Sequence, residues 1–427
     1  MKKSLLIGLI AAMVFFLVTG DSYSGEIDLL LKKLVEKEVL TAGEAQELKI
    51  ETQEQIKSEI ARGKSAALPK WVQNTKINGD FRLRYQLDHT ANTTNDRQRG
   101  RLRLRLGLES KVNEKIKVGV GLATGKNDGS ASQNADFSRS TNQSFEDEFS
   151  KHPVSLDYAY GKYTPTPEVA FIGGKFKNVL WEPGDLIWDT DINPEGGAFL
   201  LTKKLNSETD VFLTPGLYSL DENSNDGDDP TMPFVQAGLN HAVTEKIALK
   251  GAVSYQGTTN VKGRALEGTT GTNTNTTGTT SGLLKQGYSV ISPAMQLTIK
   301  EPLKGLDVPL LDVPALSFFG EYVENTLVKT RGAGFMAGFR FGAEKIANWG
   351  DWQFAYSYAM LGKDAVLDIL PDSDRVGGKT GTRAHEAVVQ YGLGKNNYLS
   401  IDYYQGWTIA SNPVPQHVVQ VDWNLKF

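Results

Sequence analysis

The sequence predicts an all-β fold: a transmembrane antiparallel β-barrel of about 16 strands, within a range of about 14–18, preceded by a short periplasmic helical segment. Three observations lead there. The apolar period changes from helical to two near residue 75 and keeps that period to the end of the chain. The connections between alternating stretches are short and long in turn. The last stretch alternates apolar and polar residues up to a terminal aromatic, Phe427.

The first residues lie outside that pattern. Lys2 and Lys3 precede an apolar stretch from Leu5 to Val18, and Ser22-Tyr23-Ser24 puts small residues where a signal peptidase reads. Residues 1–24 are therefore expected to be a secretory signal peptide cut before Gly25, with an apolar core too short to span a bilayer. Asp21 stands where a lipoprotein would carry its acylated cysteine, so no lipid anchor is expected.

Residues 25–70 form the helical segment and its linker. Ile27, Leu30, Leu31, Leu34 and Val35 follow the spacing of one apolar helical stripe. Thr41-Ala42-Gly43-Glu44 has the form of a capping box and restarts a charged helix that runs to about Ile60. Gly63 to Pro69 reads as a linker. Two readings stand for residues 26–62: a small solvated hairpin, or a coiled-coil or peptidoglycan-contacting element on the periplasmic side.

The barrel occupies residues 71–427. Arg101-Leu102-Arg103-Leu104-Arg105-Leu106 alternates without a break, and Val419, Val421, Trp423, Leu425 and Phe427 share one face of the last strand. Strands are expected near 75–88, 98–111, 114–124, 154–163, 168–177, 195–203, 209–219, 231–243, 245–257, 287–300, 314–328, 333–345, 350–361, 382–393, 397–408 and 416–427. Short connections such as Val112-Asn113-Glu114 and Gly394-Lys395-Asn396 alternate with long polar ones, including 125–153, 178–194, 220–230, 258–286 and 362–381. Short turns on one rim and long loops on the other are the pattern of an outer-membrane barrel. Pro215 weakens the strand in which it sits, 301–313 is long for a turn, and Asp364 to Leu370 reads as a further half-strand. The Thr/Gly/Asn-rich tract 268–281 is expected to be a mobile external loop rather than a binding site.

The polar faces of the first two strands carry Arg82, Arg84, Arg101, Arg103 and Arg105. Facing lipid, each arginine would cost roughly 2–4 kcal/mol near the midplane. They are therefore expected to line the pore, with the intervening leucines on lipid. One reading is a positive wall that attracts anions; the other is a structural network balanced by Asp80, Glu109 and other carboxylates. The third external loop, 178–194, supplies Trp181, Glu182, Asp185, Trp188, Asp189 and Asp191. It is expected to fold inward and form a constriction opposite the arginines, with Glu182, Asp185, Asp189 and Asp191 pore-lining; the alternative is a loop packed over the mouth. Tyr158, Tyr160, Tyr163, Trp349, Trp352, Tyr403, Tyr404, Trp407 and Trp423 lie near strand ends, where interfacial girdles or interior packing would use them.

Several function classes are excluded. The absence of cysteine rules out disulfides and thiol chemistry in this chain. A net charge of −4, or −5 once Lys2, Lys3 and Asp21 leave with the signal peptide, argues against a nucleic-acid partner. The five histidines, His89, His152, His241, His385 and His417, do not pair at ligand spacing, so no metal or cofactor is expected. No hydrolase elbow, zinc helix or phosphate loop is present, and His417 is the sole candidate for catalysis.

The stretches Leu34 to Ala45, Phe81 to Tyr85, Arg101 to Leu108, Lys111 to Lys115 and the terminal Phe427 resemble the bacterial family of putative porins, and more loosely the general trimeric porins. The resemblance implies a water-filled outer-membrane pore for passive diffusion of small polar solutes or ions, with an inward-folded third loop and a homotrimer. The helical N-terminus departs from the trimeric group. Three readings are carried forward: a diffusion channel, a structural protein tethered to the wall through residues 26–62, and an outer-membrane enzyme dependent on His417.

Overall fold

Residues whose side chains alternate between two environments close a ladder on themselves in the computed structural model. It describes residues 73–427, apart from 92–95, 126–139, 146–148, 150, 223, 225–226, 267–273, 279–281, 305–312 and 411–412, together with residues 41, 43, 44, 46, 48, 50 and 54. The expected signal peptide and most of the helical segment, with its wall-contact reading, lie outside the described residues. Within that segment the capping box is formed: the Thr41 backbone N–H and hydroxyl donate to Glu44 Oε2 at 2.8 and 2.7 Å, and Glu44 N–H donates to Thr41 Oγ1 at 3.3 Å. The chain divides into two compact units, 1–73 and 74–427.

The second unit contains, among the described residues, seventeen strands in one antiparallel sheet. They are β1 (Thr75–Thr90), β2 (Arg97–Lys111), β3 (Ile116–Thr124), β4 (Gln143–Ser144), β5 (Val154–Thr166), β6 (Val169–Lys175), β7 (Glu195–Lys204), β8 (Thr209–Ser219), β9 (Thr231–Ala242), β10 (Ile247–Gly257), β11 (Ser289–Lys300), β12 (Ala315–Asn325), β13 (Ala333–Gly342), β14 (Trp352–Leu361), β15 (Thr382–Gly394), β16 (Asn397–Thr408) and β17 (Gln416–Lys426). β4 has two residues and pairs with Arg101 and Leu102 of β2 from within the long β3–β5 loop. The other sixteen strands form the barrel, as the sequence predicts, and β1 pairs with β17 to close it.

Register fixes the faces. Leu83 opposes Leu102 and Trp423 on the outside, while Arg84 opposes Arg101 and Asp422 on the inside. Outward residues such as Ile401, Met295 and Val421 form an exposed apolar belt. Pro215 faces outward and its strand persists. β8 pairs continuously with β9 through Pro215, but toward β7 the ladder breaks between Gly216 and Leu213, where the imide has no N–H to donate. Residues 364–370 are not a half-strand. They are turns and irregular chain in a loop that turns inward, with Ala365, Val366, Leu367 and Leu370 buried.

The barrel interior is not uniform. The loops 176–194 and 362–381 enter it and pack Leu186, Ile187, Trp188, Val366, Leu367 and Leu370 against inward side chains of the wall, among them Tyr218, Phe234, Phe319 and Met336. This apolar cluster fills part of the interior on the β6–β14 side. The arginines stand on the β1–β2 side.

Candidate functional site

Strand alternation brings the five predicted arginines onto one interior face of β1 and β2, in cross-strand pairs Arg82 with Arg103 and Arg84 with Arg101. Like charges so close require partners. Arg84 donates from Nε and Nη2 to the two carboxylate oxygens of Asp422 at 2.7 and 2.8 Å, and from Nη1 to Asp374 Oδ2 at 3.0 Å. Arg82 donates to Asn142 Oδ1 and lies 3.5 Å from Asp422. Arg103 pairs with Asp80 at 2.7 Å. Arg101 donates to Gln86 Oε1 at 3.0 Å and to the Asn142 carbonyl at 3.1 Å. Arg105 pairs with Asp191. The guanidinium groups of this wall thus meet Asp80, Asp191, Asp374 and Asp422.

The third external loop places its carboxylates in different surroundings. Asp191 is the member that reaches the arginine wall. It also accepts from Thr141 N–H at 3.2 Å and from the Thr141 hydroxyl at 3.0 Å. Burial alone would raise this carboxyl, but Arg105, Arg103 and Arg82 outweigh it and hold Asp191 well below the usual range. Asp185 turns away from that wall and pairs with Arg375 of the other inward loop. Asp189 accepts the N–H groups of Asp191 and Ser373, each at 2.9 Å, and its own N–H donates to Leu370 O at 2.8 Å. Glu182 is pushed up by burial and by the neighbouring carboxylates of Glu321 and Asp185.

Three contacts tie the loop to the barrel on other sides. Trp181 exchanges a double hydrogen bond with Gln236 of β9, N–H to Oε1 at 2.8 Å and Nε2 to O at 2.9 Å. Arg340 of β13 donates to the Pro183 carbonyl. Gly184 sits so close to Met336 that a Cβ there would lie 2.3 Å from the sulfur.

The loop 362–381 was not picked out by sequence reasoning as part of the site, yet it supplies Asp372, Asp374 and Arg375. Arg375 bridges Asp185 and Glu386 of β15, the latter at 3.2 Å. Burial opposes its charge, but Asp185, Glu386 and Asp372 raise it well above the ordinary guanidinium value. Asp374 is held low because Arg84 and Arg101 outweigh its burial. Asp372 is pushed well up by burial and by Asp185 and Asp374. The available signal was compositional: Ala365-Val366-Leu367 and Ile369-Leu370 are too apolar for a loop bathed in water.

The Thr/Gly/Asn-rich tract departs from its expectation in the described part. Asn275 is buried and donates from Nδ2 to the carbonyls of Lys363 at 2.8 Å and Val366 at 2.9 Å, while Asp368 N–H donates to its Oδ1 at 2.8 Å. Thr276 donates to Asp364. Residues 274–276 therefore dock on the inward loop, because their short polar side chains satisfy backbone groups that the loop leaves open.

Of the aromatics, Tyr163, Trp352, Tyr403, Trp407 and Trp423 share the outward face by register, and Trp349 is exposed on a turn. Tyr158, Tyr160 and Tyr404 face inward, where the Tyr160 hydroxyl donates to Glu109 at 2.8 Å. Tyr158 and Tyr160 lie over Gly107, Gly119 and Gly121, which leave room for their rings. His417 lies on the outward face, 2.8 Å from the Tyr403 hydroxyl.

The family model described as "Putative porin" matches residues 86–294 and 311–427. No curated protein matches the chain. The fold is similar to OprB of Pseudomonas putida in its high-pH structure, with a TM-score of 0.54 and 11% identity over 83% of this chain and 94% of that one. The outer membrane channel DcaP of Acinetobacter baumannii gives a TM-score of 0.44 at 12% identity, over 83% of this chain and 98% of that one. A triple mutant of the Rhodopseudomonas blastica porin gives 0.41 at 10%, over 83% and 100%.

Proposed function

Because the chain belongs to the putative porin family, we propose that its barrel conducts small polar and ionic solutes passively through a constriction set between the arginine wall and the two inward loops. The protein is a β-barrel channel of the outer membrane. In our reading, Arg82, Arg84, Arg101, Arg103 and Arg105 form one side of the conducting path. Asp191 sets the narrowest point on that side by anchoring the third loop to Arg105. Glu182, Asp185 and Asp189 belong to the loop body that reduces the remaining cross-section.

The observation that carries this reading is the position of the 176–194 loop, which is bound to β9, β13 and the arginine wall at once. Fixed charges of both signs so placed create a transverse field across any solute that passes. The clustering of five guanidinium groups on one wall favours anions. Planar-bilayer conductance under a salt gradient tests it. Steady channels whose reversal potential moves toward cations when Arg101, Arg103 and Arg105 are reversed in charge support the constriction. An unchanged reversal potential removes the arginines from the path, and a folded, heat-modifiable barrel that stays silent overturns the channel itself.

A further inference from the structure

The underside of the third loop carries a cation with no acid on it. Lys250 of β10 projects into the interior, and its ammonium lies 4.7 Å from the centroid of the Trp181 ring and 5.7 Å from that of Phe212. Among the described residues it has no hydrogen-bond or carboxylate partner. Its cross-strand neighbours are Asn240 and Gln296, both neutral. Ring faces stabilise a cation through their quadrupoles but accept no N–H bond, so its donors remain available to whatever enters the recess.

Both rings are held in place by β9. Gln236 fixes the Trp181 backbone through its double hydrogen bond. Gly238 leaves the space in which the Phe212 ring lies; a Cβ there would meet Phe212 Cζ at 2.3 Å. Trp181, Phe212 and Lys250 border a recess of about 590 Å³ that reaches the periplasmic turn at Pro167 and Glu168. That volume suits a small organic molecule. The recess is also bordered by Asp210, Lys203 and Lys204, so its lysines outnumber its carboxylates by one. Asp210 lies two strands from Lys250, about 10 Å away by strand spacing.

We propose that this recess is a subsite for a small organic anion with a planar apolar body, such as an aromatic carboxylate, with the carboxylate on Lys250 and the ring against Trp181 or Phe212. The proposal rests on the channel reading and names a class of solute for it. A cationic ring is disfavoured because the Lys250 ammonium repels it. A neutral planar solute would gain the rings but leave the ammonium unanswered.

Calorimetric titration of the folded full chain in detergent with sodium benzoate and with benzamide separates these cases. Benzoate is expected to bind at least about tenfold more tightly than benzamide, the scale of one charged hydrogen bond. Lys250→Met should abolish that preference while leaving heat-modifiable migration unchanged, Lys250→Arg should keep it, and Trp181→Ala should weaken both ligands. Equal affinity for the two, binding of neither, or a preference that survives Lys250→Met overturns the site. Bilayers distinguish the two levels of the argument. Silent membranes with the benzoate preference intact overturn the channel reading alone, whereas conducting channels without the preference overturn the subsite alone.

Discussion

Arg84 and Asp422 face each other across the seam where the first and last barrel strands meet, joined by two parallel hydrogen bonds of 2.7 and 2.8 Å. The pair is buried, and Asp374 from the 362–381 loop binds the same guanidinium at 3.0 Å. One arginine therefore ties barrel closure to loop docking. Arg84→Ala removes the bidentate partner of Asp422, leaving it Arg82 at 3.5 Å, and the hydrogen-bonded partner of Asp374, and should cost about 3–5 kcal/mol, the scale for removing one partner of a buried pair. Urea unfolding in lipid vesicles measures it; a loss below about 1 kcal/mol would show that the seam does not depend on this pair.

Single neutralisations at the loop anchor should act in opposite directions. Arg105→Gln leaves Asp191 facing Arg82 and Arg103 with one cation fewer and should move the reversal potential toward cation preference. Asp191→Asn should move it toward anions. Shifts of the same sign in both variants would mean that loop displacement, not charge, governs selectivity.

Asn275→Ala removes four hydrogen bonds to the inward loop, those with Lys363, Val366, Thr380 and Asp368. Leaving such buried groups unpaired costs about 1–3 kcal/mol. Amide exchange over residues 362–381 should accelerate by about 5- to 150-fold on that scale. Unchanged protection would place the hold on this loop elsewhere.

Asp372 gives the loop a pH dependence whose sign follows from its surroundings. Its folded carboxyl is raised by burial, Asp185 and Asp374, so the protonated form is favoured in the docked state. That stability is fully present below the unfolded value of about 3.9 and is lost as pH rises through the higher folded value. Asp374 has the opposite sign: it is held low by Arg84 and Arg101 against its burial, and its contribution is lost only as pH falls below the ordinary range. Between pH 5 and 8 the Asp372 contribution should lower the protection of residues 362–381, measured against their intrinsic exchange rates at each pH, as pH rises. Asp372→Asn should flatten the dependence. A wild-type loop better protected at pH 8 than at pH 5 would contradict the assignment.

The barrel was legible because its rules are local. Alternation of Arg101 through Leu106 identifies a strand and its inner face at once, since a lipid-facing arginine is too costly to be the answer. Even the strand containing Pro215 was readable, because an outward proline disturbs only one of its two ladders. What fills the interior was less legible. That Asp191 meets Arg105 while Asp185 meets Arg375 depends on the path of two loops through space, and neither spacing nor composition encodes a partner 190 residues away. The 362–381 loop carried a detectable signal, its apolar run, but polar flanks made it read as surface. The Thr/Asn tract misled for a related reason: low complexity speaks of chain entropy, not of specific hydrogen bonds to a neighbouring loop.

The third loop has a mechanical consequence. It is bolted to β9 by Gln236, to β13 by Arg340 and to β2 by Arg105, walls well separated around the ring. A hollow cylinder of strands flattens under lateral load because its diameter is fixed only along the perimeter. A cross-brace fixed at three azimuths resists that ovalisation. The bore should therefore hold its shape as membrane tension rises, until one of those three fastenings yields.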